Sequence, residues 1–314
     1  MENDAQFHSY YINQLEPQLD ALEVERKKVK NKILIMLLIG TVGYAILITI
    51  LSQLIFMVAP VAVIIAIVDI ITCGILYYVF VKKYKKTFKV DIVKLLLAFF
   101  KQDLEYFPQQ KIPQNEYSQS QLFLKTVSRY NGEDMVTGIV NNIPFSFSEL
   151  HTQYRSSDGK KTSYPTIFKG IFVVAQLKKQ YANTVILPDT AEKLLGGKIG
   201  HFFQSMSFNR GKLIKTDFPD FEKEFVVYGE NPDESLNLLS MDLVQRIMQF
   251  KFKCNSKIYV SFNSNKLFVA ISSKKDMFEA RVFKPIKDYN FIKTQIDYFD
   301  WILGIVEDFN LKRF

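Results

Sequence analysis

Cysteine, tryptophan and histidine are scarce in this 314-residue chain, at two, one and three copies. Two cysteines, Cys73 and Cys254, far apart in any sensible topology, give no disulfide framework and suit a reducing compartment. His8, His151 and His201 are isolated, and neither a His-x-x-x-His pair nor a Cys-x-x-Cys supplies ligands at productive spacing, so no metal and no cofactor is expected. A phosphate-cradling loop is lacking too. The nearest stretch, Leu195-Gly196-Gly197-Lys198-Ile199-Gly200, has neither the spacing nor the hydroxyl and reads as a loop. There is no dinucleotide fingerprint and no internal repeat of 20–50 residues.

Charge is missing from one long stretch. From Ile33 to Val81 the only carboxylate, lysine or arginine is Asp69. Two membrane spans of about 20 residues joined by a short turn need a run of this length, which predicts a transmembrane hairpin, Ile33 to about Phe56 and about Val58 to Val81. The turn is expected near Ser52 to Pro60, because Ser52 and Gln53 interrupt the apolar run and Pro60 suits the first turn of a new helix. Some 32 polar and amphipathic residues come first, unlike a cleaved signal peptide, so the hairpin is expected to be retained.

What flanks that stretch sets its orientation. Arg26, Lys27, Lys28, Lys30 and Lys32 precede it and Lys82, Lys83, Lys85, Lys86 and Lys89 follow it, while the turn is uncharged. The expectation is a two-span protein of the cell membrane with both termini cytoplasmic. The formal net charge of +8 becomes −2 once these ten residues are set aside. The soluble part therefore has no positive field to draw nucleic acid, and anionic lipid headgroups are the expected partner of the lysines.

Outside the hairpin, Phe7, Tyr11, Leu15, Leu19, Leu22 and Val29 recur at helical spacing, with a weak break at Pro17, and predict an amphipathic helix over 1–32. A second stripe, Val90, Val93, Leu96, Leu97, Phe100 and Leu104, predicts a post-membrane helix over 82–107. The two could pack as a short stalk, or each could lie on the C-terminal domain or the lipid surface. Residues 108–314 are expected to form a cytoplasmic α+β domain, with a mainly antiparallel sheet, entered through a polar extended stretch. Its strands are read at Met135 to Val140, Ile143 to Tyr154 (around the turn Asn141-Asn142), Thr166 to Leu177, Asn183 to Pro188 and Phe221 to Tyr228. Lys257 to Phe262 and Lys266 to Ile271 are read as a hairpin around Asn263-Ser264-Asn265. Helices are read at Asp189 to Leu195, at Asn231 to Phe252 and at Tyr289 to Phe309.

Few side chains suggest chemistry. Ser148, Glu149 and His151 are close in sequence, but alternation along a strand puts 149 and 151 on one face and 148 on the other. Glu149, His151 and Arg155 are the catalytic candidates if a reaction exists at all; the default is a solvent-facing pair. Cys254, after a helix and without a base nearby in sequence, reads as a packing residue. Asp69 stands out, because a carboxylate inside a span costs roughly 2.5–3.5 kcal/mol on insertion scales and ordinarily faces a partner. A hydrogen bond to Thr41, Thr49 or Thr72, an oligomer contact, or a proton or ion relay could each account for it, the structural roles being favoured.

Several segments together resemble a bacterial membrane-protein family described as domain of unknown function 3137, often encoded near LemA-type proteins. The segments are the N-terminal helix with its hairpin, Thr137-Gly138-Ile139 through Pro144-Phe145-Ser146-Phe147-Ser148-Glu149-Leu150, Ile167-Phe168-Lys169-Gly170-Ile171-Phe172, and Phe221-Glu222-Lys223-Glu224-Phe225-Val226-Val227-Tyr228. The resemblance implies an architecture and carries no catalytic residues. The expected function is a membrane-anchored binding or scaffolding protein with a protein partner or a second copy of itself. A membrane-associated enzyme acting on a lipid or envelope precursor is the alternative.

Overall fold

The computed structural model describes residues 2–54, 58–100, 103–189, 210–273 and 279–309, and the chain divides into two compact units. The first comprises Met1–Phe99 and Phe278–Asp297, the second Phe100–Met277 and Tyr298–Phe314.

The first unit is built on two long helices. Helix α1 (Glu2–Tyr10) passes through a π-helical turn (Tyr11–Leu15) into α2 (Glu16–Leu54), and α3 (Val58–Phe99) returns. The π turn has a cause in sequence. Pro17 has no N–H for an α-helical bond, and its ring crowds the carbonyl four residues before it, so the turn widens there. Phe7, Tyr11, Leu15, Leu19 and Leu22 are buried as their spacing predicts, against a stripe of α3 that includes Phe88, Ile92, Val93 and Leu96. Rings and main chain join the two faces: Phe7 meets Phe99 edge-on at 5.4 Å, and the Tyr10 hydroxyl donates to the Leu95 carbonyl at 2.9 Å.

The same two helices are long and apolar enough to cross a membrane. Between Leu34 and Ile50, and between Val63 and Val79, large aliphatic side chains are exposed on every side; Leu38, Ile39, Ile64 and Ile70 are each more than 60% exposed. The seam between the helices in this stretch is narrow and rich in small residues, with Gly40, Tyr44, Ala62, Ala66, Asp69 and Cys73 half-buried.

A third component of the first unit was not anticipated. Residues 279–288 form an irregular strap, continued by the first part of helix α8 (Tyr289–Leu303), and belong with the helices rather than with a domain running from 108 to 314. The post-membrane helix is also shorter than its stripe suggested. It stops at Phe99, and Asp103–Phe107 is strand β1, where Leu104 and Tyr106 alternate inward and Asp103 and Glu105 outward. A five-residue period of two overrides a helical stripe that would have ended on the same residues.

The second unit is α+β. After β1 come the short helix α4 (Gln114–Gln119), β2 (Arg129–Val140) and β3 (Ile143–Gln153). The entry expected to be extended is thus partly helical, and it docks: Ile112, Tyr117 and Leu122 are buried against Leu150, Phe168 and Phe172. Between β2 and β3, Asn141 and Asn142 both have positive φ, the two-residue reversal that suits the twist of paired strands. Two-residue strands β4 (Ser156–Ser157) and β5 (Thr162–Ser163) pair with each other ahead of the 23-residue β6 (Thr166–Pro188). Then follow β7 (Lys212–Ile214), α5 (Pro219–Glu222), β8 (Phe225–Gly229), α6 (Pro232–Leu238), α7 (Met241–Cys254), β9 (Ile258–Ser272), α8, and α9 (Ile305–Asp308). Seven strands form one antiparallel sheet in the order β1-β2-β3-β6-β8-β7, with β9 also on β6.

Strand β6 is the spine of this sheet. Ile171 to Ala175 is an unbroken buried run because both faces are covered. Phe172 and Val174 pack into the cluster with Tyr117 and Phe268, while Val173 lies opposite Phe147, whose ring meets Phe299 at 6.1 Å. Several other expectations fail in this unit: the strands read at Thr166 to Leu177 and Asn183 to Pro188 are the single strand β6, the strand read from Phe221 starts only at Phe225 because Pro219–Glu222 is helical, and the helix read from Tyr289 to Phe309 is divided between α8 and α9. The helix read from Asn231 to Phe252 breaks at Leu239, and each half has its own cap, Asn231 and Ser240. Asn263-Ser264-Asn265 is no hairpin turn: β9 runs straight through it, Ser264 has a positive φ, and β6 shifts register opposite, so the paired strands bulge together instead of reversing. The helical turn read from Asp189 to Leu195, the loop from Leu195 to Gly200, and His201 fall outside the described residues, Asp189 excepted.

Candidate functional site

The register of three strands assembles a chemically varied cavity in the second unit. Asn131 pairs with His151 and His151 with Lys169, while Glu133 stands directly opposite Glu149. These residues, with Gly132, Gly170 and Ser273, line a cavity of about 310 Å³. Gly170 is a requirement of the backbone: its φ is +149°, and a Cβ there would lie 2.0 Å from the Ile271 carbonyl oxygen.

The sequence candidates divide. Glu149 and His151 do share a face and are half-buried in this cavity rather than simply facing solvent. The His151 ring is held by Thr166, Nε2 to Oγ1 at 3.0 Å. Arg155 is exposed, takes no part in the lining, and its backbone N–H donates to Ser128 Oγ. Ser148 is fully buried on the opposite face, where its Oγ accepts the Ile112 N–H at 3.0 Å. Alternation therefore separates serine from histidine as expected.

Two carboxylates join Glu149 that sequence reasoning did not single out. A break in the β2–β3 register between Glu133 and Val136 turns Asp134 inward at φ +59°, almost fully buried, where Tyr106 donates its hydroxyl at 2.5 Å. Burial, with Asp134 beside it, drives the Tyr106 hydroxyl far above its ordinary range, so it stays a proton donor. Glu133, Asp134 and Glu149 each offer an oxygen within 4.8 Å of the others, a spacing that could hold a metal ion. The available signal was Gly132, since the strand extends back to Arg129 and an isolated glycine within a strand suggests a bulge nearby.

The basic residues flanking the hairpin do not form one class. Lys27, Lys28, Lys32, Lys82, Lys83 and Lys86 are exposed and Lys30 half-buried, with Lys28 paired to Glu25. Arg26 and Lys89 are buried, which removes them from the expected headgroup set. Arg26 instead forks onto Glu23 at 2.6 and 2.8 Å and donates Nη1 to the Val282 carbonyl at 2.6 Å, while Glu23 Oε2 accepts the Ile286 N–H. The arginine beside it holds the Glu23 carboxyl below the usual range. Tyr84 and Tyr11 add hydroxyl donors to the Arg281 and Lys287 carbonyls. Four side chains of the long helices thus bond main-chain groups of the strap.

Asp69 faces the seam. A Cβ on Gly40 would lie 3.2 and 3.3 Å from the Asp69 carboxylate oxygens, and Cys73 Sγ approaches to 4.0 Å. None of the three threonines considered as partners donates to it: Thr41, Thr49 and Thr72 bond carbonyls of their own helices. Gly40 supplies the space that the carboxyl fills. Cys254 ends helix α7.

The model of the family described as Protein of unknown function (DUF3137) matches residues 166–311. The family resembled in the sequence is the family matched. The match covers β6 onward, including the strap and α8, but none of the hairpin. No curated protein matches the chain. Among solved structures, the mycobacterial trehalose monomycolate transport factor A aligns over 69% of this chain and 95% of its own, at 12% identity and a TM-score of 0.32.

Proposed function

We propose that the chain is a membrane-anchored binding or scaffolding protein, with the hairpin crossing the membrane, both termini cytoplasmic, and the sheet unit available to a protein partner or a second copy. The observation that carries this reading is the band of exposed aliphatic side chains from Leu34 to Ile50 and Val63 to Val79, bounded on its open side by exposed lysines. Water disfavours such a band and hydrocarbon accepts it. Binding is preferred to catalysis because Ser148, the hydroxyl that the sequence sets beside Glu149 and His151, is buried on the other face of the strand.

The test has two arms. A cytosolic reporter fused after Phe314 is expected to be active and alkaline phosphatase there silent; the reverse removes the topology. Crosslinking of the protein in nanodiscs is expected to trap a partner or a dimer, and repeated recovery of neither removes the scaffold.

One observation favours an enzyme as second reading: Glu133, Glu149, His151 and Lys169 surround a single cavity of about 310 Å³. A lipid-linked or envelope precursor presented at the headgroups would be the substrate. If the Glu149→Gln, His151→Ala double variant complements a deletion strain fully, this reading is gone.

A further inference from the structure

The strap runs along the long helices in a fixed direction. Its later residues bond positions far from the apolar band: Ile286 to Glu23, Lys287 to Asp20, Glu16 and Tyr11, and the Tyr289 ring to Phe7. Its earlier residues bond positions nearer the band. Glu279 pairs with Lys85 at 2.7 Å, the Arg281 carbonyl accepts from Tyr84, and the Val282 carbonyl accepts from Arg26. Tyr84 and Lys85 lie three and four residues beyond Val81, or roughly 5 and 6 Å along the helix, and Arg26 lies about 10 Å before Ile33 at 1.5 Å per residue. Each headgroup layer is about 5–8 Å deep, so the backbone of Tyr84 and Lys85 falls within it and that of Arg26 just beyond it.

At this end the strap exposes Phe283, an aromatic side chain 53% accessible, followed by exposed Lys284 and Pro285. Its neighbours Val282 and Ile286 are buried, so they fix the backbone on either side. The adjoining stretch of the hairpin already has the chemistry of a membrane interface. Tyr77 and Tyr78 are exposed, the Lys82 ammonium lies 5.4 Å from the Tyr78 ring, and Lys32 lies 6.0 Å from Phe80. Aromatic rings interleaved with lysines are the usual composition of that zone.

We infer that the strap is a third membrane contact: Phe283 enters the headgroup layer of the bilayer that holds the hairpin, and Lys284 joins Lys32, Lys82, Lys83 and Lys86 in facing anionic headgroups. The occupant of this surface is lipid. The inference rests on the reading that the hairpin crosses the membrane, and it adds a segment some 200 residues further along the chain to the same interface.

Depth-resolved quenching tests it. The sole tryptophan, Trp301, is buried and stacked on Phe250, so a Trp301→Phe background is dark. In that background two reporters are placed one at a time, Phe283→Trp on the strap and Val68→Trp in the hairpin, and the full chain is reconstituted in vesicles of phosphatidylcholine and phosphatidylglycerol carrying bromine at defined acyl positions. The Phe283→Trp emission is expected to shift to the blue on reconstitution, and to be quenched more by bromines near the headgroup than by bromines near the chain end. Val68→Trp is expected to show the opposite order. A strap reporter that stays unquenched beside a quenched hairpin reporter overturns the inference alone, and two unquenched reporters overturn the hairpin and the inference together.

Discussion

Helix α2 contains two regions of different composition and opposite behaviour. Up to Leu22 its leucines are buried, whereas Leu38 and Ile39 are more than 60% exposed. The first region has a stripe at helical spacing, with charged residues around it, and finds protein to cover the stripe. The second is apolar on every side, so no single face can satisfy it. One rod therefore has two solvents, and the crossover falls between the buried Glu23–Arg26 pair and Leu34.

The sharpest way to break the first region is Arg26→Ala. It leaves Glu23 buried without its fork and is expected to cost about 3–5 kcal/mol, read as a loss of melting temperature for the detergent-solubilised protein. Replacing both partners, Glu23→Leu with Arg26→Met, is expected to restore part of that stability, since it leaves no buried charge but deprives the Val282 carbonyl and the Ile286 N–H of their partners. An unchanged melting point for the single variant would contradict the burial of the pair.

The corresponding change in the second region is Ile70→Arg. On the insertion scale an arginine near the centre of a span costs roughly 2.5–3.5 kcal/mol, so the alkali-resistant membrane fraction is expected to fall. Lys27→Asp, exposed in the crossover between the two regions, is expected to leave that fraction almost unchanged.

Acid discriminates the two regions more gently. Glu23 has a depressed pKa in the folded protein, so its contribution is complete above its unfolded value and disappears as the pH falls through the folded one. Stability is thus expected to decline below the ordinary carboxylate range, and Glu23→Gln is expected to flatten that part of the profile. The smallest effect belongs to the sheet: Asn142→Gly relieves a positive φ at the tip of the β2–β3 hairpin and is expected to stabilise by less than about 1 kcal/mol, measured by urea denaturation.

These contrasts also explain what the sequence disclosed. Both stripes and the hairpin were legible because period and its absence are written in residue type. The Asn141-Asn142 reversal was legible because two adjacent positive φ angles select such residues. Asn263-Ser264-Asn265 misled for the same reason, since a bulge shared with a partner strand selects the residues that a turn does. The strap was illegible because the helices hold it largely through carbonyls and N–H groups, which every residue possesses. In the cavity, Glu149 and His151 could be found locally, whereas Glu133 and Lys169 arrive from neighbouring strands through registers fixed only in the folded sheet.

The strap has a consequence for synthesis. Arg26 and the carbonyl it binds are separated by 256 positions, and nearly all of the sheet unit is encoded between them. The two long helices leave the ribosome early, but the groove beside them stays open until residues 279–297 are made. Closure of the first unit is therefore among the last events of folding, at the high loop-closure cost of so distant a contact. A nascent chain halted before Glu279 would present a bare, partly charged helical groove, the kind of intermediate that chaperones and proteases inspect.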